Sequence, residues 1–200
     1  MGRHARARKI PSMSVSKRFR TPHDSGRQVA ILCKETGATL FMAELPKEAD
    51  TEPPARRMGI ALELALRAEA DLSGADLRGV IAQDLQSFEG KLAGADFTGA
   101  DLSNLECIGC DVRQTRFAGA SLAKADFRGC DLRGADLTGA DIRHAQFQFC
   151  NARGALFVNP LADQTYFWTT KLYDATFSGV EPGKIIFEDC NYSEPDAGED

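Results

Sequence analysis

Several things that would support a chemical function are missing from this sequence. There are only three histidines: two lie in the irregular N-terminal stretch, and His144 ends a repeat unit at a corner position. No glycine-rich phosphate-binding motif is present. No apolar run approaches the ~18 residues of a membrane span, and no apolar segment follows the basic N-terminus as it would in a secretory signal. The six cysteines (33, 107, 110, 130, 150 and 190) show no paired metal spacing; Cys107 and Cys110 form a lone CxxC. Zinc therefore lacks a ligand set, and reduced thiols in a cytoplasm are the expectation. With acids this numerous and this regular, no pair stands out as general acid and base. The sequence predicts a non-enzyme without cofactor, metal or small-molecule substrate.

Charge is distributed unevenly. Residues 1–68 hold 13 Lys/Arg against 7 Asp/Glu, whereas residues 69–200 hold 11 against 22, a balance of −11. Arg3, Arg6, Arg8, Lys9, Lys17, Arg18 and Arg20 all precede the first acid, Asp24. Residues 1–16 read as a disordered basic tail, with a nucleic-acid contact or an organelle-targeting segment as the alternatives and a specific motif for neither. Met13 is an alternative start that would make residues 1–12 an upstream extension. The chain closes in "NYSEPDAGED", with residues 193–200 an acidic tail.

Between them runs a period of five. In "FRGCDLRGADLTGADIRHAQF" (127–147) Leu or Phe returns every fifth residue, Asp often precedes it, and Ala or Cys stands one place earlier. Neither helix nor strand has that period. Centres counted from Leu72 to Phe187 keep phase throughout: 16 of the 24 are Leu or Phe, and only six other Leu/Phe fall between residues 70 and 189. Self-similarity of this extent defines a repeat architecture.

The segments "ADLSGADLRG", "GADFTGADLSN" and "CDLRGADLTGADI" resemble the pentapeptide-repeat family, A-(D/N)-(L/F)-X-X, over residues 70–192. The resemblance implies an all-β solenoid, a right-handed quadrilateral β-helix in which each pentapeptide is one side of a square. The central residue and the small residue two places before it would point inward. Physical reasoning agrees: a narrow tube needs one bulky and one small inward position per side to fill without voids. Coils stacked at roughly 4.8 Å make about six coils a rod of roughly 29 Å, held by neighbour-to-neighbour contacts.

Taken modulo 20, the centres form core columns. One contains Phe127, Phe147, Phe167 and Phe187 after Cys107; another contains Leu77, Phe97, Phe117, Leu137, Phe157 and Phe177. Cys110, Cys130, Cys150 and Cys190 share the small inward position of one column and read as buried structural thiols. The pattern loses its residues, though not its phase, at 80–89, predicted to bulge or cap, and at 159–168. There Pro160 should make the corner irregular, and Tyr166 and Trp168 emerge either as contact candidates or as a cover over the disturbed core. On one outward line Arg113, Arg133 and Arg153 stack, with Tyr173 next. That line is either an arginine face neutralised by Asp111 and Asp131 or a stripe for an acidic partner.

Residues 17–69 lack the repeat and are expected to cap the solenoid's open end. "RQVAILCK" and "GATLFMAEL" form a β-hairpin, "KEADTEPP" a linker with Pro54 in a first helical turn, and "ARRMGIALELALRAEA" a helix.

The functional expectation is an interaction or scaffold rod for an unidentified protein partner, cytoplasmic, with the monomer slightly favoured. The alternative comes from the family's quinolone-resistance branch, whose members resemble B-form DNA and bind DNA gyrase. The acidic rod fits it, with Asp96 and Asp101 as the acids to reverse; the arginine line and the absence of a C-terminal dimerisation helix depart from it.

Overall fold

The computed structural model describes residues 27–193; the basic segment 1–16 and the acidic end from 194 onward lie outside them. The hairpin forms as the apolar runs require. Strand β1 (Gln28–Leu32) pairs antiparallel with β2 (Thr39–Glu44), and Gly37 in the left-handed region closes the turn. The predicted linker is more ordered than expected: Lys47–Thr51 is a turn of 3-10 helix. Helix α1 (Pro54–Arg67) begins on Pro54, which gives up no hydrogen bond at that position.

The repeats build a four-sided β-helix. On the first side, parallel bridges step 20 residues at a time from Asp71 through Lys91, Asp111, Asp131, Asn151 and Lys171 to Asn191. The second side runs from Asp76 to Asp136 and continues as β7 (Leu156–Val158) on β9 (Thr176–Ser178). The fourth is a six-stranded parallel sheet of β3 (Gln86–Phe88), β4 (Glu106–Ile108), β5 (Asp126–Arg128), β6 (Gln146–Gln148), β8 (Thr165–Trp168) and β10 (Ile185–Glu188). The third side runs from Ile81 to Leu161 and stops. Five turns therefore have all four sides paired, and a sixth has three.

Both predicted irregularities need correcting. Residues 80–89 do not bulge: Gln86–Phe88 lies in register on Glu106–Ile108, and Ala82 and Ser87 are buried at their centres. Pro160 does not cost a rung either. Its equivalents Ala100 and Ala140 use their N–H for a turn bond to Phe97 and Leu137, so proline removes only that bond, and Leu161 still donates to the Ala140 carbonyl at 2.9 Å. The side that fails comes one coil later, where "VEPGK" places Pro182 at a centre.

The columns pack as rings. Phe127, Phe147 and Phe167 stack at 5.1 and 4.5 Å between centroids, and Phe97 stacks on Phe117 at 5.5 Å. The two columns meet edge to face, as at Phe147–Phe157 (5.8 Å) and Phe157–Phe167 (5.1 Å). Leu77 and Leu137 are buried with them. Two core assignments weaken toward the end. Phe177 is only partly buried and Phe187 is 38% exposed, because no further coil covers them.

Residues 27–69 take the place of a preceding coil on two sides. In later coils the N–H before each centre donates to the coil below, as Asp96 does to Ala75. In the first coil Asp76 donates instead to Leu32 of β1, and Ile81 donates to Ala55 of α1. Gly59 makes this approach possible, since a Cβ there would fall inside the Ile81 carbonyl oxygen. Gly→Ala in an exposed helix gains about 1 kcal/mol. Here Gly59→Ala is expected to lose about 1–3 kcal/mol through overpacking, and a thermal melt reads the sign directly.

Candidate functional site

Three features stand out among the described residues: the arginine line, an aromatic patch and a cluster of thiols. The arginine line is made by local pairing. Seven of the nine Asp residues before a centre accept the main-chain N–H two residues on, as in Asp71–Ser73, Asp111–Arg113, Asp131–Arg133 and Asp136–Thr138 at 3.0–3.2 Å. This Asx-type turn explains why Asp recurs. The same carboxylates hold the guanidinium of that second residue: Arg113 on Asp111 and Arg133 on Asp131, both at 2.6 Å. Arg78–Asp76, Arg128–Asp126 and Arg143–Asp141 repeat the pair on the other sides at 2.6–2.7 Å. Arg113 accordingly holds the Asp111 carboxyl below the usual carboxylate range, and Arg143 does the same for Asp141. Arg153 lies over the Tyr173 ring, 4.0 Å from its centroid. Tyr173, expected on the outer face, is therefore buried beneath that arginine and presents no contact surface. Arg133→Ala is expected to leave stability essentially unchanged, because exposed ion pairs contribute little; a urea titration checks it.

The aromatic patch lies on the flat fourth side. Tyr166 and Trp168 of β8 point outward, 41% and 42% exposed, while Thr165 and Phe167 alternate inward. Phe149 joins them, its ring 5.0 Å from that of Trp168. It is 56% exposed and sits at a corner with φ 55°, in the left-handed region that glycine or a polar residue fills at other corners. A bulky side chain rarely adopts that conformation. In register with Tyr166 and Trp168 stand Gln146 and Gln148 on one side and Ile186 and Glu188 on the other. The sequence reading named Tyr166 and Trp168 but missed Phe149. The available signal was its phase, because Phe149 is one of the six Leu/Phe that are not centres.

The thiols have a structural explanation, with one exception. Cys110, Cys130, Cys150 and Cys190 each donate to the carbonyl 23 residues earlier at 3.1–3.4 Å, and Thr115, Thr165 and Thr170 do the same at 2.7–2.9 Å. Cys or Thr therefore replaces Ala where a donor can reach a core carbonyl. Cys107 is different: it occupies a centre, and its sulfur lies with those of Cys110 and Cys130, all within 4.8 Å of one another and all buried. Contact with the other two thiols, then burial, pushes the Cys107 thiol well up. Two open clefts, of about 290 and 260 Å3, flank the failed third side near Val180 and Glu181.

A four-sided β-helix with inward Leu/Phe and Asx-turned corners is a repeat-protein fold, and it agrees with the comparison to known proteins. Residues 87–157 match the model of the pentapeptide repeat region, and the solenoid of this chain is a pentapeptide-repeat structure. The solved structures similar to it include these three. One is trypsin-treated QnrB1, a plasmid-mediated fluoroquinolone resistance protein, at 26% identity over 57% of this chain and 71% of that one, TM-score 0.38. Another is HetL, involved in heterocyst differentiation regulation in the cyanobacterium Nostoc sp. strain PCC 7120, at 21% identity over 62% and 60%, TM-score 0.33. The third is a pentapeptide repeat protein of the Arabidopsis thaliana thylakoid lumen, at 32% identity over 57% and 62%, TM-score 0.33. None of the curated proteins matches the chain in sequence. Among the described residues, no helix is long and apolar enough to cross a membrane.

Proposed function

We propose that this protein is a non-enzymatic interaction module whose binding surface is the Phe149–Tyr166–Trp168 patch. The observation that carries the reading is Phe149. An exposed phenylalanine held at a corner with φ 55° has a backbone cost and covers no core, and such costs persist where a side chain is used. Two further aromatic residues on a flat parallel sheet enlarge it into a hydrophobic anchor of the kind that carries protein–protein affinity. The glutamines beside it can serve as a polar rim. The arginine line is the weaker surface, since its guanidinium groups are occupied by Asp111, Asp131 and the Tyr173 ring.

Affinity capture with the wild type and with a Phe149→Ser/Tyr166→Ser/Trp168→Ser variant tests the proposal. The expected result is loss of the captured partner at unchanged melting temperature. Retention of the same partner by the triple variant contradicts it.

A second reading, mimicry of DNA toward a topoisomerase, has the −11 balance over residues 69–200 in its favour. Two observations weigh against it. Many of the acids serve Asx turns and hold arginines, and Asp96, expected above as an acid to reverse, is buried at 2% exposure beside Lys34. A gyrase supercoiling assay with the protein titrated in separates the readings: the interaction-module reading expects no inhibition at tens of micromolar.

A further inference from the structure

We propose that Cys107, Cys110 and Cys130 form a binding site for a trivalent thiophilic ion, with arsenic(III) as the representative, held inside the solenoid as a neutral tris-thiolate. The hydrogen-bond ladder accounts for Cys110 and Cys130 but not for Cys107. The column of Cys107 continues as Phe127, Phe147, Phe167 and Phe187, so a cysteine there forgoes a stacked ring. In place of the ring it puts a third sulfur within 4.8 Å of the other two. Three sulfurs on one ion, at a bond length of about 2.3 Å, stand roughly 4 Å or less apart. Rotation about a Cα–Cβ bond carries a sulfur through an arc larger than that difference.

Charge selects the class of ion. All three side chains are buried in the hydrophobic core of the solenoid. Three thiolates around a monovalent ion would bury two negative charges, and around a divalent ion one; around a trivalent ion they bury none. Uncompensated charge in a core is expensive, and zinc would also want a fourth ligand. Arsenous acid balances without redox chemistry. As(OH)3 and three thiols give As(SR)3 and three waters, each S–H proton leaving with one hydroxide as an As–S bond forms. The S–H groups given up are weak donors, so little is lost on their carbonyl acceptors. Because the sulfurs are buried, uptake requires local opening of the coils. It should be slow and should accelerate in urea below the unfolding midpoint.

The test uses the full-length reduced protein with sodium arsenite, read by native mass spectrometry and arsenic X-ray absorption. The expected product has one arsenic gained, three hydrogens lost and a three-sulfur shell. Cys130→Ala, which introduces the residue most common at that inward position, should weaken binding at least tenfold. Cys150→Ala, on the same ladder outside the cluster, should bind as the wild type does. Circular dichroism confirms that both variants are folded. No uptake by the wild type, with or without sub-denaturing urea, overturns the proposal. So does arsenic on fewer than three sulfurs, as from reaction at Cys33 or Cys190, or equal binding by Cys130→Ala.

Discussion

Phe147→Ala should lower the unfolding free energy by about 3–5 kcal/mol, with a fall in Tm on the order of 10 °C. Phe147 is fully buried and stacks between Phe127 and Phe167 while meeting Phe157 edge on. Truncation removes a ring from its own column and the edge-to-face partner of Phe157 in the other. The main chain on either side is pinned by ladder bonds from Gln146 to Ala125 and from Tyr166 to Ala145, so the coils cannot close on the cavity. Phe187→Ala supplies the contrast. Its ring is 38% exposed at the end of the same column, and the expected cost is roughly 1 kcal/mol, scaled from the area it buries. Urea titrations of both proteins measure the difference. Equal losses would mean that stability in this rod does not depend on depth within the stack.

Breaking the buried ion pair under the hairpin is expected to come second in size. Asp96 lies beneath Lys34, which reaches it from the turn between β1 and β2, and Arg116 stands 3.9 Å away. Burial opposes ionisation of Asp96, but donation from Lys34 and Thr98 outweighs it and leaves the carboxyl below its ordinary value. Lys34→Ala leaves the buried carboxylate only Thr98 and the more distant Arg116 and should cost about 3 kcal/mol, the lower end of what broken buried pairs lose, because Lys34 is partly solvated. Since the folded pKa is depressed, the stabilisation is present above the unfolded value, near 4. It is lost as pH falls through the folded pKa. Asp96→Asn should flatten that acid limb relative to the wild type while keeping the Thr98 contact. An unchanged acid limb would show that Asp96 carries no linkage.

Most of the solenoid could be read from the spacing alone, because a five-residue period admits few structures and the inward positions repeat without slipping. Where the reading failed, it had treated residue type as position. Ala82 and Ser87 are poor core residues, yet the phase holds them inward, and the pairing of β3 on β4 follows the phase. Pro160 looked disruptive because proline lacks an N–H, but at that corner the missing donor belongs to a turn and not to the ladder. The break at Pro182 is different, since there the proline occupies a centre. Tyr173 stands on the outward line, but Arg153 folds over its ring.

The candidate surface was half legible. Tyr166 and Trp168 alternate with inward residues on a strand, which the sequence shows. Phe149 needed the backbone: only its positive φ and its contact with Trp168 reveal that an off-phase aromatic joins them. The off-phase Leu/Phe residues divide cleanly. Leu85 and Leu105 fill small inward positions, whereas Phe88, Phe149, Leu156 and Leu161 are exposed. The thiol cluster could not be read from spacing, because Cys130 joins Cys107 and Cys110 only once the coils are stacked.

Site-specific photo-crosslinking most directly tests whether the aromatic patch is the surface that engages a partner. A benzophenone side chain is placed at Trp168, at Arg133 on the first side and at Gln83 on the third, and each protein is irradiated in cell extract. One defined adduct is expected from position 168 and none from 133 or 83. That adduct should be lost when Phe149 is changed to Ser in the same chain. An adduct from position 133 with none from 168 would move the binding surface to the arginine line and contradict the account.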